Sequence, residues 1–323
     1  MSKINFFCKA SLTDGLGHLT RQIHIANEFR NQNYKVCFYI PDFQTAVDIL
    51  KKKNFSYHIV ESFDSAPSMI QEDIDIAILD IQNTARTLIE GLKNTFKKII
   101  SFEDQGEGRN CVDLLIDCNV NPEDRQTIPA TTKTLFGLPY SVLGSEFRKF
   151  HLKERNFQDE IQSLLITFGG TDPHNITIDL AKLIPNKLKT TIIIGPGFQD
   201  KKTLMELKSD HISVEENVEH MAPMLLNHDG VFCSGGVTLH EAMCLGTPAF
   251  VINQVKHQEN KAKIAEIRGA AINLGQASSW DKNRLIQIFK LDSKILRNMS
   301  NTGKKCIDGK GLNRVTKAIL STC

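Results

Sequence analysis

Cys233-Ser-Gly-Gly-Val-Thr-Leu-His-Glu241, continued by Ala-Met-Cys-Leu-Gly246-Thr-Pro248, is the stretch on which the reading of this chain turns. Asp229-Gly-Val-Phe-Cys233 supplies a short apolar strand ahead of it, and the residues after Gly236 open a helix. Gly235 and Gly236 let the backbone turn sharply and approach a ligand with no Cβ in the way. The amides that follow, at Val237 and Thr238, stand at a helix N-terminus, where unsatisfied N–H groups and the macrodipole favour an anion. That is the geometry of a phosphate seat. Ser234 stands at the start of the turn. Glu241, about one helical turn on, places a carboxylate where ribose hydroxyls can donate to it. A strand-to-helix turn without any ligand has the same pattern, so the rest of the chain must decide.

Length and composition set the frame. The chain has 323 residues, enough for about two domains. Its composition, 41% hydrophobic and 24% charged, is that of an ordinary globular protein. A net charge of +2 argues against a nucleic-acid partner. No apolar run approaches the roughly 18 residues of a membrane span, so no integral membrane segment is expected. The start, Met1-Ser-Lys-Ile-Asn-Phe-Phe-Cys8, reads as a first buried strand without the long apolar region of a signal peptide. Eight cysteines (Cys8, Cys37, Cys111, Cys118, Cys233, Cys244, Cys306 and Cys323) include no Cys-x-x-Cys pair, and the histidines show no ligand spacing. A reducing cytoplasm fits this usage, and neither a metal nor a cofactor is expected.

Strand and helix patterns alternate along most of the chain. Strands are expected at 4–9, 36–40, 74–80, 98–102 and 114–116, with helices at 19–31 and 43–53. A second series has strands at 164–168, 190–194, 213–215, 230–233 and 248–252. Its helices fall near 175–183, 200–208, 221–227, 238–244 and 258–268. Continuous apolar strands alternating with helices predict an α/β chain with parallel sheets covered on both faces. The expected division is a Rossmann-like domain over 1–150 and a second over 151–323, with the last helix packing back on the first domain. The charged stretch 145–162 reads as the connector. Two such domains bind ligands at the C-terminal ends of their strands, in the cleft they face.

Three further turns carry candidate chemistry. Asp14-Gly-Leu-Gly-His18, with Arg21 one turn later, is a Gly-x-Gly without the third glycine of a dinucleotide fingerprint. An imidazole at His18 can serve as general base to a water or a sugar hydroxyl, or it can simply cap and pack. Gly15, Gly17 and Arg21 would line the same turn. Phe168-Gly-Gly-Thr-Asp-Pro-His-Asn175 ends another strand at Gly169 and Gly170, with Asp172 and Asn175 as helix caps. Its amides can touch phosphate or sugar, or form a plain turn. In Phe250-Val-Ile-Asn-Gln-Val-Lys-His-Gln258, the side chains of Gln254, His257 and Gln258 can bind sugar hydroxyls, though many surface loops look alike. Phe102-Glu-Asp-Gln-Gly106 either brings acids to the cleft or is a loop.

Taken together, Gly15-Leu-Gly-His18-x-x-Arg21, Phe168-Gly-Gly-Thr-Asp-Pro173, Ser234-Gly-Gly-x-Thr238-x-x-Glu241, Gln254-x-x-His-Gln258 and Asp308-Gly-Lys-Gly311-x-x-Arg314 resemble one family. It is that of the nucleotide-sugar hydrolases of pseudaminic acid biosynthesis, which act on UDP-2,4-diacetamido-2,4,6-trideoxy-beta-L-altropyranose, and the related spore-coat polysaccharide biosynthesis proteins. More distantly, the second half resembles the glycosyltransferase that adds N-acetylglucosamine to the peptidoglycan lipid precursor. The resemblance runs over residues 4–320 and implies a GT-B fold of two Rossmann-like domains around a cleft. It implies a UDP-sugar substrate and His18 as the base that activates water. Gly235, Gly236 and Thr238 would hold the diphosphate, and Glu241 the ribose, without a metal.

The chain departs from the hydrolase pattern at three places. Lys9 stands where an Asp is usual, Asp80-Ile-Gln82 lacks the aromatic of Asp-x-Tyr, and His257-Gln258 replaces Asn-Gln. All three fall on the sugar side and bring the chain nearer the spore-coat relatives. Three activities follow. A hydrolase turns over nucleotide sugar with water alone. A GT-B glycosyltransferase needs a glycan or lipid acceptor, and a non-catalytic binder does neither.

Overall fold

The computed structural model describes residues 3–70, 74–120, 128–216 and 218–322; Met1, Ser2 and Cys323 lie outside the described residues. Two compact units emerge, one of residues 1–144 with 310–323, the other of residues 145–309.

The first unit runs β1 (Lys3–Cys8), α1 (Gly17–Asn31), β2 (Lys35–Ile40), α2 (Gln44–Lys52), β3 (Ser56–Ile59), β4 (Ile74–Asp80), α3 (Arg86–Leu92), β5 (Phe96–Phe102), β6 (Leu114–Asp117) and β7 (Lys133–Phe136), and regains the chain's end as α12 (Gly311–Leu320). Its strands form one parallel sheet in the order β3-β2-β1-β4-β5-β6-β7. Both faces are covered, which is why β1 and β4 are mostly apolar, interrupted inside the strands only by Asn5 and Asp75. On one side Ile4, Phe6 and Cys8 of β1 pack with Phe29, Phe38, Val315 and Ile319; on the other, Phe7 packs with Leu79, Leu88 and Phe96. Phe6 stacks on Phe38 at 5.0 Å and Phe7 on Tyr39 at 4.9 Å. Each phenyl buried this fully contributes about 1.5–3 kcal/mol.

The second unit runs α4 (Ser145–Phe150), β8 (Ser163–Thr167), α5 (Ile176–Ala181), β9 (Lys189–Ile194), α6 (Lys201–Glu206), β10 (Ile212–Glu216), α7 (Met221–Leu226), β11 (Gly230–Cys233), α8 (Val237–Leu245), β12 (Ala249–Asn253), α9 (Gln258–Ile267), β13 (Ala271–Gln276), α10 (Lys282–Ile288) and α11 (Ser293–Cys306). Its parallel sheet has the order β10-β9-β8-β11-β12-β13. Leu164, Ile166, Phe232, Phe250 and Ile252 form its core with residues of α5, α6, α10 and α11.

In each sheet the strand order reverses beside the first strand, between β1 and β4 and between β8 and β11. The loops that leave these strands diverge there and open a crevice at the carboxyl ends. The stretch expected as a connector, 145–162, differs from that reading. Phe147 is only 2% exposed, and α4 packs against α7 and α8, so this segment is part of the second unit. The division therefore falls after Gly144 rather than at 150/151.

Candidate functional site

In the first unit the site begins where β1 and β4 end side by side, with Cys8 in register with Asp80. The chain leaves β1 through a tight loop. Lys9 Nζ pairs with Asp14 Oδ1 at 2.5 Å, Ser11 Oγ donates to Asp14 Oδ2 at 2.7 Å, and Gly15, at φ +76°, turns the backbone into α1. Gly17 is the first residue of α1, and His18 the second.

Asp80 is fully buried and gathers four donors from the first two turns of that helix. Its Oδ1 meets His18 Nδ1 at 2.7 Å and accepts from Arg21 Nη2 at 2.7 Å; its Oδ2 accepts from Arg21 Nε at 2.9 Å and Gln22 Nε2 at 2.7 Å. Burial works against the charge of Asp80, but the Arg21 guanidinium and then His18 more than offset it, holding its carboxyl below the usual range. An ionised carboxylate only accepts, so it fixes His18 with the proton on Nδ1 and makes Nε2 the basic nitrogen. Arg21, expected among the substrate ligands, is 5% exposed and committed to protein. It also donates from Nη1 to Glu103 and lies 5.4 Å over the Phe102 ring.

In the second unit four loops meet at the carboxyl ends of β8, β9, β11 and β12. Ser234, Gly235 and Gly236 link β11 to α8, and no side chain caps the first amides of that helix. A Cβ on Gly235 would stand 2.5 Å from Asn253 Oδ1 and 2.6 Å from the Gln258 carbonyl oxygen, so only glycine fits. Gln258 Oε1 in turn accepts from the Gln254 amide at 2.8 Å. Gly169, at φ +84°, and Gly170 follow β8 and pack closely under Gly195, where a Cβ would lie 2.4 Å from the Gly169 carbonyl oxygen. Val237 and Thr238 are half-buried in the first turn of α8, and His257 is exposed.

Glu241 lies one turn into α8. It is 8% exposed, and among the described residues its carboxyl group has no hydrogen-bond or ion-pair partner. Burial, reinforced by the nearby carboxylate of Glu146, pushes it up to about 8. Glu146 is itself held by His220, with Oε2 and Nδ1 2.8 Å apart. A buried, unpartnered carboxyl beside an uncapped helix start is poised to accept hydrogen bonds from outside the chain. Among the described residues no group of three or more His, Cys, Asp or Glu side chains is placed to hold a metal, and no helix is long and apolar enough to cross a membrane.

The candidates thus fall into two sets, each assembled within its own unit. Gly15, Gly17, His18 and Arg21 lie on one loop and helix, while Gly169, Gly170, Ser234, Gly235, Gly236, Val237, Thr238, Glu241, Gln254 and Gln258 gather around the β11–α8 turn. Read from the sequence, Asp172 is only a helix cap, a role it fills for the Ile176 and Thr177 amides. Glu103 is only part of a segment that could bring acids to the cleft, and Asp80 only part of a motif lacking its aromatic; Asn253 is not singled out. The signal for Asp80 was an acid ending the apolar run Ile74-Asp-Ile-Ala-Ile-Leu-Asp80. Asp104, by contrast, is wholly structural, with Thr84, Ser101 and Gly106 donating to it.

The two parallel-sheet units have the GT-B fold. The chain is similar to MurG of Acinetobacter baumannii, with a TM-score of 0.66 at 15% identity, covering 99% of this chain and 100% of that one. It is also similar to Arabidopsis thaliana UGT89C1 in complex with UDP-L-rhamnose, with a TM-score of 0.62 at 14% identity over 98% and 99% of the two chains.

In sequence its homologues include the spore coat polysaccharide biosynthesis protein SpsG of Bacillus subtilis, 24% identical over 331 residues, 97% of this chain and 96% of that one. The UDP-2,4-diacetamido-2,4,6-trideoxy-beta-L-altropyranose hydrolase of Campylobacter jejuni is 20% identical over 266 residues, 80% of this chain and 94% of that one. An uncharacterized protein of Methanocaldococcus jannaschii is 28% identical over 273 residues; the match spans 78% of this chain but only about half, 56%, of that relative. No protein-family model matches the chain.

Proposed function

We propose that this chain is a nucleotide-sugar enzyme of surface-glycan biosynthesis that hydrolyses a UDP-sugar at its anomeric carbon. The observation that carries the reading is the 2.7 Å contact between His18 Nδ1 and the buried Asp80. It leaves Nε2 as the base. That nitrogen takes a proton from water as the water oxygen bonds to the anomeric carbon. The carbon–oxygen bond to the diphosphate breaks, and UDP leaves with the electron pair. The amides of Gly236, Val237 and Thr238 at the uncapped start of α8 meet the charge on the leaving group. Glu241 accepts from the ribose hydroxyls. Gln254 and Gln258, with the amides of Gly169 and Gly170, hold the sugar. Asp80 orients the base, and Arg21 and Gln22 orient Asp80.

A second reading is a GT-B glycosyltransferase, in which the same base takes the proton of an acceptor hydroxyl on a glycan or lipid. The similarity in fold to the spinosyn rhamnosyltransferase SpnG, with a TM-score of 0.64 at 12% identity, supports it. Incubation with a panel of UDP-, GDP- and CMP-sugars, without acceptor, separates the two. Hydrolysis predicts rapid nucleotide release from one UDP-sugar, reduced at least about a hundredfold in His18→Ala. UDP binding with negligible release across the panel points to the transferase. Near-normal turnover by His18→Ala removes His18 as the base.

A further inference from the structure

We propose that Asp172 is a positioning residue for the carboxamide of Gln254, and that the substrate group met there is a hydrogen-bond donor, a hydroxyl or amide N–H of the sugar. The inference rests on the nucleotide-sugar reading and deepens it. Asp172 lies in the loop after β8, among left-handed residues at Gly169 (φ +84°), itself (φ +44°) and Asn175 (φ +52°). Such backbone away from glycine persists where its surroundings over-determine it. The carboxylate of Asp172 does so here. Its Oδ2 accepts from the Thr177 amide at 2.8 Å, and its Oδ1 accepts from the Ile176 amide at 3.1 Å and from Gln254 Nε2 at 2.8 Å.

A carboxylate cannot donate, so Gln254 must turn its NH2 group toward Asp172. The carbonyl oxygen is then directed away. That atom, Gln254 Oε1, is buried and has no partner. Buried polar atoms are nearly always paired in native proteins. The stranded acceptor belongs to the phosphate-turn cluster, because Gln258 holds the Gln254 backbone amide and itself packs on Gly235. A ligand hydroxyl or N–H satisfies Gln254 Oε1, whereas a ring or phosphate oxygen would repel it. Asp172 touches no ligand in this scheme; it sets the polarity that Gln254 offers.

The test is calorimetric titration of the full chain with UDP and with the tightest-binding UDP-sugar from a panel including UDP-glucose and UDP-N-acetylglucosamine. Its readout is the affinity gained by the sugar over UDP alone. In Asp172→Asn, three donors compete for one acceptor oxygen, so Gln254 is no longer held one way. The sugar gain should fall about tenfold while UDP affinity stays within about twofold. Gln254→Met, which leaves the loop cap intact, should lose at least as much, and the double variant should lose no more than Gln254→Met alone. Additive losses, equal losses for UDP and UDP-sugar, or an intact sugar gain in Asp172→Asn overturn the proposal. A wild-type chain that binds UDP but gains nothing from any sugar overturns it while sparing the nucleotide reading. Failure to bind UDP at all overturns both.

Discussion

Glu241 and Asp80 are both buried acids, yet their surroundings drive them in opposite directions. Asp80 sits against the Arg21 guanidinium and the Gln22 and His18 donors and stays charged; Glu241 sits near Glu146, with no donor among the described residues, and holds its proton. The folded-state value of Glu241, about 8, lies above the usual 4.5, so between those values the native chain keeps a proton that the unfolded chain has lost. Stability therefore falls as pH rises from about 4.5 to 8. At about 1.4 kcal/mol per unit, the full decline approaches ~5 kcal/mol, an upper bound because water can reach the helix. Glu241→Gln should flatten this decline, and its unfolding midpoint should exceed that of the wild type at pH 9 while matching it more closely at pH 5. A gap independent of pH would show that the carboxyl is not neutral when buried. Ribose hydroxyls favour the ionised form, so the same carboxyl should release a proton when UDP binds, measurable as a buffer-dependent binding heat.

At the scale of elements, the β11–α8 turn combines a close backbone approach with an uncapped helix start. Gly235→Ala forces its new Cβ against Asn253 and a Gln258 backbone atom, whereas at Gly236 the nearest atom is Ser234 Oγ at 3.3 Å. Gly235→Ala should thus cost about 1–3 kcal/mol of stability and at least about tenfold in UDP affinity. Gly236→Ala should cost clearly less by thermal unfolding and titration. Equal tolerance at the two positions would remove the steric argument. This turn was legible in the sequence because strand, glycine pair and helix are consecutive. The strands β3, β7 and β13 were not, and all three lie at sheet margins. An edge strand such as Ser56-Tyr-His-Ile59 is mostly exposed and lacks the apolar run of an interior strand.

At the scale of the molecule, each unit carries its own core, and the chain's end serves the first. In α12, Val315 and Ile319 are fully buried among residues of β1, α1 and β2. Gly311 permits the approach, since a Cβ there would lie 1.9 Å from the Ser141 carbonyl oxygen. Ile319→Ala should cost about 2–5 kcal/mol. The single tryptophan, Trp280, lies in the core of the second unit and reports on that unit alone. Denaturation of Ile319→Ala followed by circular dichroism should therefore shift to lower denaturant, while the Trp280 fluorescence transition moves less. Identical shifts by both probes would mean the units unfold as one.

Periodicity and glycine turns by themselves determined two α/β units, the parallel sheets and the positions of the tight glycine turns at the strand ends, because those signals are local in the chain. The ordered motifs also pointed to the right relatives. Which side chains meet was decided only by the tertiary structure. Asp80 lies 62 residues along the chain from His18, and Asp172 lies 82 residues from Gln254; no local spacing couples them. Sheet register sets β4 beside β1 at the point where the strand order reverses, and the approach of the β8 and β12 loops brings Asp172 to Gln254. The strengths of the resulting contacts, an ionised Asp80 and an unsatisfied Gln254 oxygen, come from burial, which folding alone creates.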